Sequence, residues 1–133
     1  MKLTMLDIEK MKTIGELREY PEDTYIFKQG TLGIEMYVII SGEIELYMGN
    51  CNNYLSLGKL TSGDVIGEMS LLETMPRCAT AKTTTECMLF IINRRNFKKI
   101  FELLPTIAMR ITKNLSCRLR QQNEELWILK NNT

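Results

Sequence analysis

Short apolar runs separated by turn residues dominate the middle of the chain. The runs are rich in β-branched and aromatic residues and occupy 24–30, 34–50, 53–67 and 81–93. In "GEIELYM", Ile44, Leu46 and Met48 alternate with polar or amphipathic neighbours, which suits a half-buried strand. Turns are predicted at Ser41-Gly42 and Gly49-Asn50, because Gly and Asn adopt positive φ at little cost. Regularly spaced short strands of this kind predict an all-β sandwich or barrel.

Helical spacing appears on both sides of this β region. Apolar positions three or four apart over residues 2–18 predict a short amphipathic helix, broken near Gly15. A second helix is predicted from Arg94 to just before Pro105. A third runs from Thr106 to about Lys130 without Gly or Pro. Its apolar stripe consists of Ala108, Ile111, Leu115, Leu119, Leu126 and Leu129.

Two interpretations of the long third helix stay open at this point. The stripe either packs against the protein's own β region or forms a seam with the same helix of a second chain. Gln122 interrupts the line of apolar residues, and a polar residue in such a seam can fix its register. A homodimer through the C-terminal helix is therefore one expectation.

Composition places the chain among ordinary globular domains. It has 133 residues, of which 44% are hydrophobic and 25% charged, so one domain with a sizeable core is expected. No stretch approaches the roughly 20 apolar residues of a membrane span, and the N-terminal residues do not form a secretion signal. We therefore expect a cytoplasmic location and no membrane association.

Charge and residue types exclude several function classes. The net charge of +1 lacks the basic excess of most nucleic-acid binders, and the basic run at 93–99 is most simply a solvated helix face. The chain has no histidine, which removes the commonest catalytic bases and metal ligands. Its four cysteines follow no zinc-site spacing, so free thiols are expected. We expect neither an enzyme nor a metal or cofactor site.

The stretch "GEMSLLETMPRCATA" at 67–81 holds the strongest candidate chemistry. A short helical turn after Gly67, with small Ser70 in it, would present free N–H groups to an anion. Arg77 would add a planar, two-pronged donor suited to phosphate. Glu68 would repel phosphate but could accept hydrogen bonds from hydroxyl groups. Together these groups describe a ribose phosphate site, whereas the simpler alternative is a surface ion pair between Glu68 and Arg77.

This stretch closely resembles the phosphate-binding cassette of cyclic nucleotide-binding domains, G-E-x-[small]-L followed by P-R-x-A. Upstream, "GTLGIEMYVIISGEIEL" and "LGKLTSGDVIGE" resemble two further motifs of that family. The resemblance covers about Ile14 to Lys130. The cassette match rests on Gly67, Glu68, Ser70, Leu71, Pro76, Arg77 and Ala79.

The resemblance implies a mainly β fold with flanking helices, a jelly-roll-like β-barrel in a single domain over 1–133. Its parts would be an N-terminal helical segment (1–18), a barrel (19–93) containing the cassette (66–80), and B and C helices (94–130). Glu68 would hold the ribose 2′-hydroxyl. Arg77 and the backbone N–H groups from Gly67 through Met69 to Ser70 would hold the cyclic phosphate.

The resemblance also bears on the choice of ligand. Cys78 and Ala79 complete the cassette side of the predicted site. Cys78 stands where the family usually has Ala, Ser or Thr, and Thr there is associated with cGMP. A thiol is a weak donor, so cAMP is favoured over cGMP.

The segment from Arg77 to Asn123 is most similar to the sensor domain of catabolite activator-type regulators. That similarity places Arg118, Gln122 and Asn123 on the C helix facing the nucleotide, while a solvated helix face is the alternative. The chain ends at Thr133 without a helix-turn-helix domain, so direct binding of nucleic acid is not expected. The leading hypothesis is a cAMP-sensing module, and the alternative is a ligand-free module for dimerisation or protein interaction.

Overall fold

The computed structural model describes residues 3–50, 52–67, 76–111, 113 and 128. In these residues the chain folds into eight strands and flanking helices. The first helix, α1, spans Met5–Met11, and the second, α2, spans Arg94–Leu103. A further helical stretch covers 105–111. The strands are β1 Glu16–Tyr20, β2 Tyr25–Phe27, β3 Glu35–Ser41, β4 Ile44–Asn50, β5 Asn53–Leu60, β6 Val65–Ile66, β7 Thr80–Thr83 and β8 Cys87–Asn93.

The strands form two four-stranded antiparallel sheets. One has the order β1-β8-β3-β6 and the other β2-β7-β4-β5. The predicted mainly β, jelly-roll-like fold is confirmed, although in the described residues the strands form two separate sheets rather than a closed ring. No helix in the described part of the chain is long and apolar enough to cross a membrane.

The strands β3, β6 and β8 of the β1-β8-β3-β6 sheet are largely buried on both faces, whereas the edge strand β1 is mostly exposed. On β3, Met36 and Val38 join the cluster that holds α1, α2 and the 105–111 helix, whereas Tyr37 and Ile39 face the second sheet. This explains why β3 and β8 read as nearly continuous apolar runs, while β4, with Ile44 buried inside and Glu45 outside, alternates.

Capping residues fix where two helices begin. The Thr4 hydroxyl accepts a hydrogen bond from the Asp7 N–H, and the Asp7 carboxylate accepts one from the Thr4 N–H. Asn93 and Asn96 form the same reciprocal pair at the start of α2. Each pair satisfies N–H groups that would otherwise have no partner in the first turn.

The prediction of a helix over 2–18 is wrong at its C-terminal end. The helix ends at Met11, and residues from Glu16 onward form β1, so the sheet also starts before the predicted boundary at residue 19. Gly15 lies close to the ring of Phe90, and β1 pairs along its whole length with β8. This long-range pairing overrides the helical spacing of Ile14 and Leu17.

Of the other predicted elements, one turn and two helices are present in the described residues. The turn at Ser41-Gly42 is confirmed, with φ +96° at Gly42, whereas β4 runs through the predicted Gly49-Asn50 turn to Asn50 itself. The Asn50 carboxamide then accepts hydrogen bonds from the N–H groups of Asn52 and Asn53 and closes the hairpin. The α2 helix is confirmed, and the long third helix is confirmed over 105–111; most of its remainder lies outside the described residues.

Candidate functional site

The predicted cassette is the connection between β6 and β7. Of its predicted site residues, Gly67, Arg77, Cys78 and Ala79 belong to the described part of the chain. Glu68, Met69 and Ser70 lie outside the described residues, as do the C-helix candidates Arg118, Gln122 and Asn123. Arg77 and the residues around it form the described part of the predicted site.

The guanidinium group of Arg77 is held inside the fold, and the residue is only 5% exposed. Its Nη1 donates to the backbone carbonyl of Gly67 at 3.1 Å, and its Nη2 donates to the carbonyl of Glu35 at 2.8 Å. Its Cζ lies 4.4 Å from the ring centre of Phe27 and 5.9 Å from that of Tyr37. Both carbonyls and both rings attract a cation, so the position of this side chain is tightly defined.

Two glycines make room for this guanidinium. A Cβ on Gly33 would lie 2.5 Å from Cζ of Arg77, and a Cβ on Gly67 would lie 2.6 Å from Nη1. Gly67 also has φ +80°, a conformation that other residues rarely adopt. Any side chain at either position would displace the guanidinium.

The backbone of Arg77 is tied to the loop between β2 and β3. Its N–H donates to the carbonyl of Thr31 at 2.8 Å, and its carbonyl accepts from the N–H of Gly30 at 2.8 Å. After it, Cys78 is an exposed free thiol, whereas Ala79 is buried. The chain thus turns sharply from a buried arginine to an exposed thiol before β7 begins.

The surroundings of Arg77 are strongly desolvated. Burial raises the pKa of Tyr37 to about 12, and the negative charge of Glu35 adds to this rise while Arg77 opposes it. The arginine keeps its charge at every accessible pH. A permanent, positioned, two-pronged cation of this kind is suited to binding a phosphate.

Local sequence patterns predict no site role for the β2–β3 loop or the strand ends beside it. Phe27, Gly33 and the Glu35 carbonyl contact the Arg77 side chain or leave space for it, although Arg77 is more than 40 positions away. Gly30 and Gly33 belong to an upstream motif, so the available signal was this pair of glycines three positions apart. In the described residues no cluster of three or more carboxylate or cysteine groups could hold a metal ion.

Comparison with known proteins gives a family match over the same region. Residues 17–103 match the family model described as "Cyclic nucleotide-binding domain". This range contains both sheets except for Glu16 at the start of β1, together with the cassette and α2.

One related sequence and one related structure agree with the family match. The chain is 34% identical over 115 residues to the cyclic AMP receptor protein of Thermus thermophilus, covering 84% of this chain and 52% of that protein. The crystal structure of Thermus thermophilus catabolite activator protein superposes with TM-score 0.83 at 29% identity, covering 96% of this chain and 61% of that one.

A second solved structure is similar to almost the same degree. The c-di-GMP responsive global regulator CLP of Xanthomonas campestris superposes with TM-score 0.82 at 28% identity, covering 96% of this chain and 65% of that one. The chain spans about half to two thirds of the length of these three relatives, all of which are named as receptors, activators or regulators.

Proposed function

The chain belongs to the cyclic nucleotide-binding domain family, and from that premise we propose that it senses cAMP, with the cyclic phosphate on Arg77. The observation that carries the proposal is the guanidinium of Arg77, held between Gly33 and Gly67 by two backbone carbonyls and the ring of Phe27. A cation fixed in this way needs little further ordering when a phosphate arrives, which favours affinity.

The other ligand contacts in the proposal come from residues outside the described part of the chain, except for Gly67, Cys78 and Ala79. Glu68 would accept a hydrogen bond from the ribose 2′-hydroxyl, and the N–H groups from Gly67 to Ser70 would bind the phosphate. Arg118, Gln122 and Asn123 would contact the base. Cys78 offers only a weak donor, so cAMP is proposed ahead of cGMP.

The identity of the ligand should be tested by comparing several cyclic nucleotides directly, because two structural neighbours of nearly equal similarity are described in different terms. One is a catabolite activator protein, and the other is described as responsive to c-di-GMP. Titration calorimetry with cAMP, cGMP and c-di-GMP would rank the three. The proposal requires binding of cAMP to be the tightest.

The test of the phosphate contact is Arg77→Lys, because lysine keeps the charge but cannot donate in two directions at fixed geometry. We expect affinity for cAMP to fall by at least about tenfold, equivalent to 1.4 kcal/mol. Arg18→Lys is the matched control, since Arg18 lies on β1 and its guanidinium donates hydrogen bonds to Glu16 and Tyr20, away from Arg77. Equal affinities of all three proteins would refute the phosphate role.

The role of Glu68 can be tested without any structural assumption. In a double-mutant cycle, Glu68→Ala is combined with removal of the ligand's hydroxyl, by comparing cAMP with 2′-deoxy-cAMP. If Glu68 contacts the 2′-hydroxyl, the two losses are not additive. Strictly additive losses would show that Glu68 acts elsewhere.

The proposed output is a change in the C-terminal helix, which would also carry a homodimer. The 105–111 stretch packs into the core beneath the β1-β8-β3-β6 sheet through Ile107, Ala108 and Ile111. A ligand that contacts residues after 111 would shift the helix only if its contacts differ between two positions of the helix. Sedimentation analysis with and without cAMP, at several protein concentrations, measures the oligomeric state directly.

A second candidate function is an interaction module that binds no nucleotide. It is favoured by the two hydrogen bonds that the terminal nitrogens of Arg77 already make to the carbonyls of Gly67 and Glu35, because a purely structural arginine would make the same contacts. Under this alternative, Arg77→Lys lowers the melting temperature while the wild-type protein shows no heat with any cyclic nucleotide. We propose no catalytic activity, and unchanged cAMP after long incubation with the protein would agree with this.

A further inference from the structure

A groove lies on the solvent side of the β2-β7-β4-β5 sheet, on the opposite face from the core. It has a volume of about 620 Å³, which is within the usual range of small-molecule sites. The side chains that matter in its wall are Tyr25, Lys28, Gln29, Tyr47, Asn50 and Thr80. None of these residues is a proposed contact of the cyclic nucleotide, although Thr80 is the last residue of the cassette.

Strand register explains why these side chains face outward together. Tyr47 lies opposite Thr80, and Lys82 lies opposite both Tyr25 and Glu45. Residues directly opposite each other in antiparallel strands point to the same side of a sheet. The intervening Ala81 is completely buried in the core, so its neighbours Thr80 and Lys82 must point to the outer face.

Aromatic and positively charged groups are combined in this groove. The ammonium groups of Lys28 and Lys82 lie 4.6 and 5.1 Å from the ring centre of Tyr25. Glu45 faces Lys82 across the strands and offsets its charge, so the more positive end of the groove is at Lys28. An anion bound there would also relieve the repulsion between the two ammonium groups.

The second aromatic wall is held in place. Tyr47 meets Tyr54 edge to face, with ring centres 5.4 Å apart. Of the two rings that line the groove, Tyr25 is 45% exposed and Tyr47 is partly exposed. Exposed tyrosine rings provide flat surfaces on which planar rings can stack.

The floor of the groove is bonded to the segment that carries Arg77. The N–H of Gln29 donates to the hydroxyl of Thr80 at 2.9 Å, and its side-chain oxygen accepts from the N–H of Gly49 at 2.9 Å. The next residue, Gly30, donates to the carbonyl of Arg77 at 2.8 Å. A ligand in the groove would thus contact the outer side of the loop whose inner side surrounds the guanidinium.

We propose that this groove is a second ligand site, for a planar aromatic ring that carries a phosphate or carboxylate group. The ring stacks against Tyr25 and Tyr47, and the anionic group lies at Lys28. The proposal goes beyond the cyclic nucleotide function and does not depend on it, because the groove and its ligand class follow from the outer face of the sheet alone.

The probe is adenosine 5′-monophosphate, followed by backbone NMR shifts, with adenosine and inorganic phosphate as probes that carry one feature each. We expect the largest shifts at 25–30 and 47–50, and an affinity for the monophosphate at least about tenfold above that for either single-feature probe. Lys28→Glu and Tyr25→Ala should each weaken the monophosphate by about tenfold or more. Lys98→Glu, an exposed lysine on α2, should leave it unchanged.

Arg77→Lys distinguishes binding of the monophosphate in the groove from binding at the cyclic nucleotide site, because only the second site uses Arg77. The proposal holds if this variant still binds the monophosphate with the same shifts at 25–30. It is overturned if binding disappears in Arg77→Lys, if Lys28→Glu and Tyr25→Ala bind as well as wild type, or if no probe produces shifts in the groove. Melting temperatures of both groove variants, measured first, ensure that folded proteins are compared.

Discussion

Replacing Gly33 by alanine tests how tightly the Arg77 guanidinium is held. The φ of Gly33 is not positive, so alanine causes no backbone strain and acts only through space. Its Cβ would lie 2.5 Å from Cζ of Arg77, far inside van der Waals contact, and the guanidinium has to move.

The expected cost follows from the contacts that this movement breaks. The guanidinium would lose charge-assisted hydrogen bonds to the carbonyls of Gly67 and Glu35, and its position over Phe27. Such hydrogen bonds contribute about 1.5–3 kcal/mol each and a cation–π contact about 1 kcal/mol, but new contacts with water return part of this. We expect a net loss of about 2–4 kcal/mol in the free energy of unfolding, or a fall of about 10 °C in melting temperature.

Gly15→Ala provides the matched control. Its φ is not positive either, and its Cβ would lie 2.7 Å from Cζ of Phe90 and 2.8 Å from the Ile91 carbonyl oxygen, away from Arg77. Both variants should be less stable in thermal and urea unfolding. Only Gly33→Ala should also weaken cAMP in calorimetry, by at least about tenfold, when both are measured well below their melting temperatures. A Gly33→Ala protein with wild-type stability would refute the reasoning about the guanidinium, and equal cAMP affinities in the two variants would refute its link to the ligand.

Three further predictions concern an ion pair, a buried hydroxyl group and two thiols. Asp7→Asn should lower stability at pH 7 by about 1–2 kcal/mol, because it removes the anion paired with Arg110, whose half-buried side chain remains partly hydrated. Although burial opposes it, hydrogen bonds lower the pKa of the Asp7 carboxyl, so the difference should shrink as the pH falls below about 4 and through that lowered pKa. Thr83→Val should cost about 1–3 kcal/mol in urea unfolding, since the completely buried hydroxyl accepts from the Thr24 N–H at 2.8 Å. A thiol reagent should modify Cys78 quickly and Cys87 only on unfolding, because burial raises the pKa of the Cys87 thiol.

Controls are available for each of these. Glu9→Gln removes an exposed ion pair with Lys12 and should change stability by less than about 1 kcal/mol. Thr13→Val removes an exposed hydroxyl, and its effect should be far below that of Thr83→Val. Peptide mapping after brief labelling reads each thiol separately, and an unmodified Cys78 or a modified Cys87 in the folded protein would contradict the assignment.

Much of the fold follows from local sequence signals. Strands bounded by Gly and Asn, the α2 helix and the position of Arg77 in a long connection were all predicted. The remaining features depend on contacts between residues that are far apart in the sequence, which local patterns do not show. The residues of β1 show helical spacing, yet pairing with β8 makes them a strand. Phe27 and Gly33 acquire their role only when the β2–β3 loop closes on Arg77.

The pairing of β1 with β8 also determines how the chain can fold. Glu16 lies opposite Ile91, and Leu3 shares one apolar cluster with Ile107, so both ends of the described chain complete the same layer. Bringing such distant residues together costs chain entropy before core packing can stabilise the structure. Topologies of this kind therefore fold slowly. The N-terminal helix and the final helical stretch should therefore become protected from hydrogen exchange together, late in refolding.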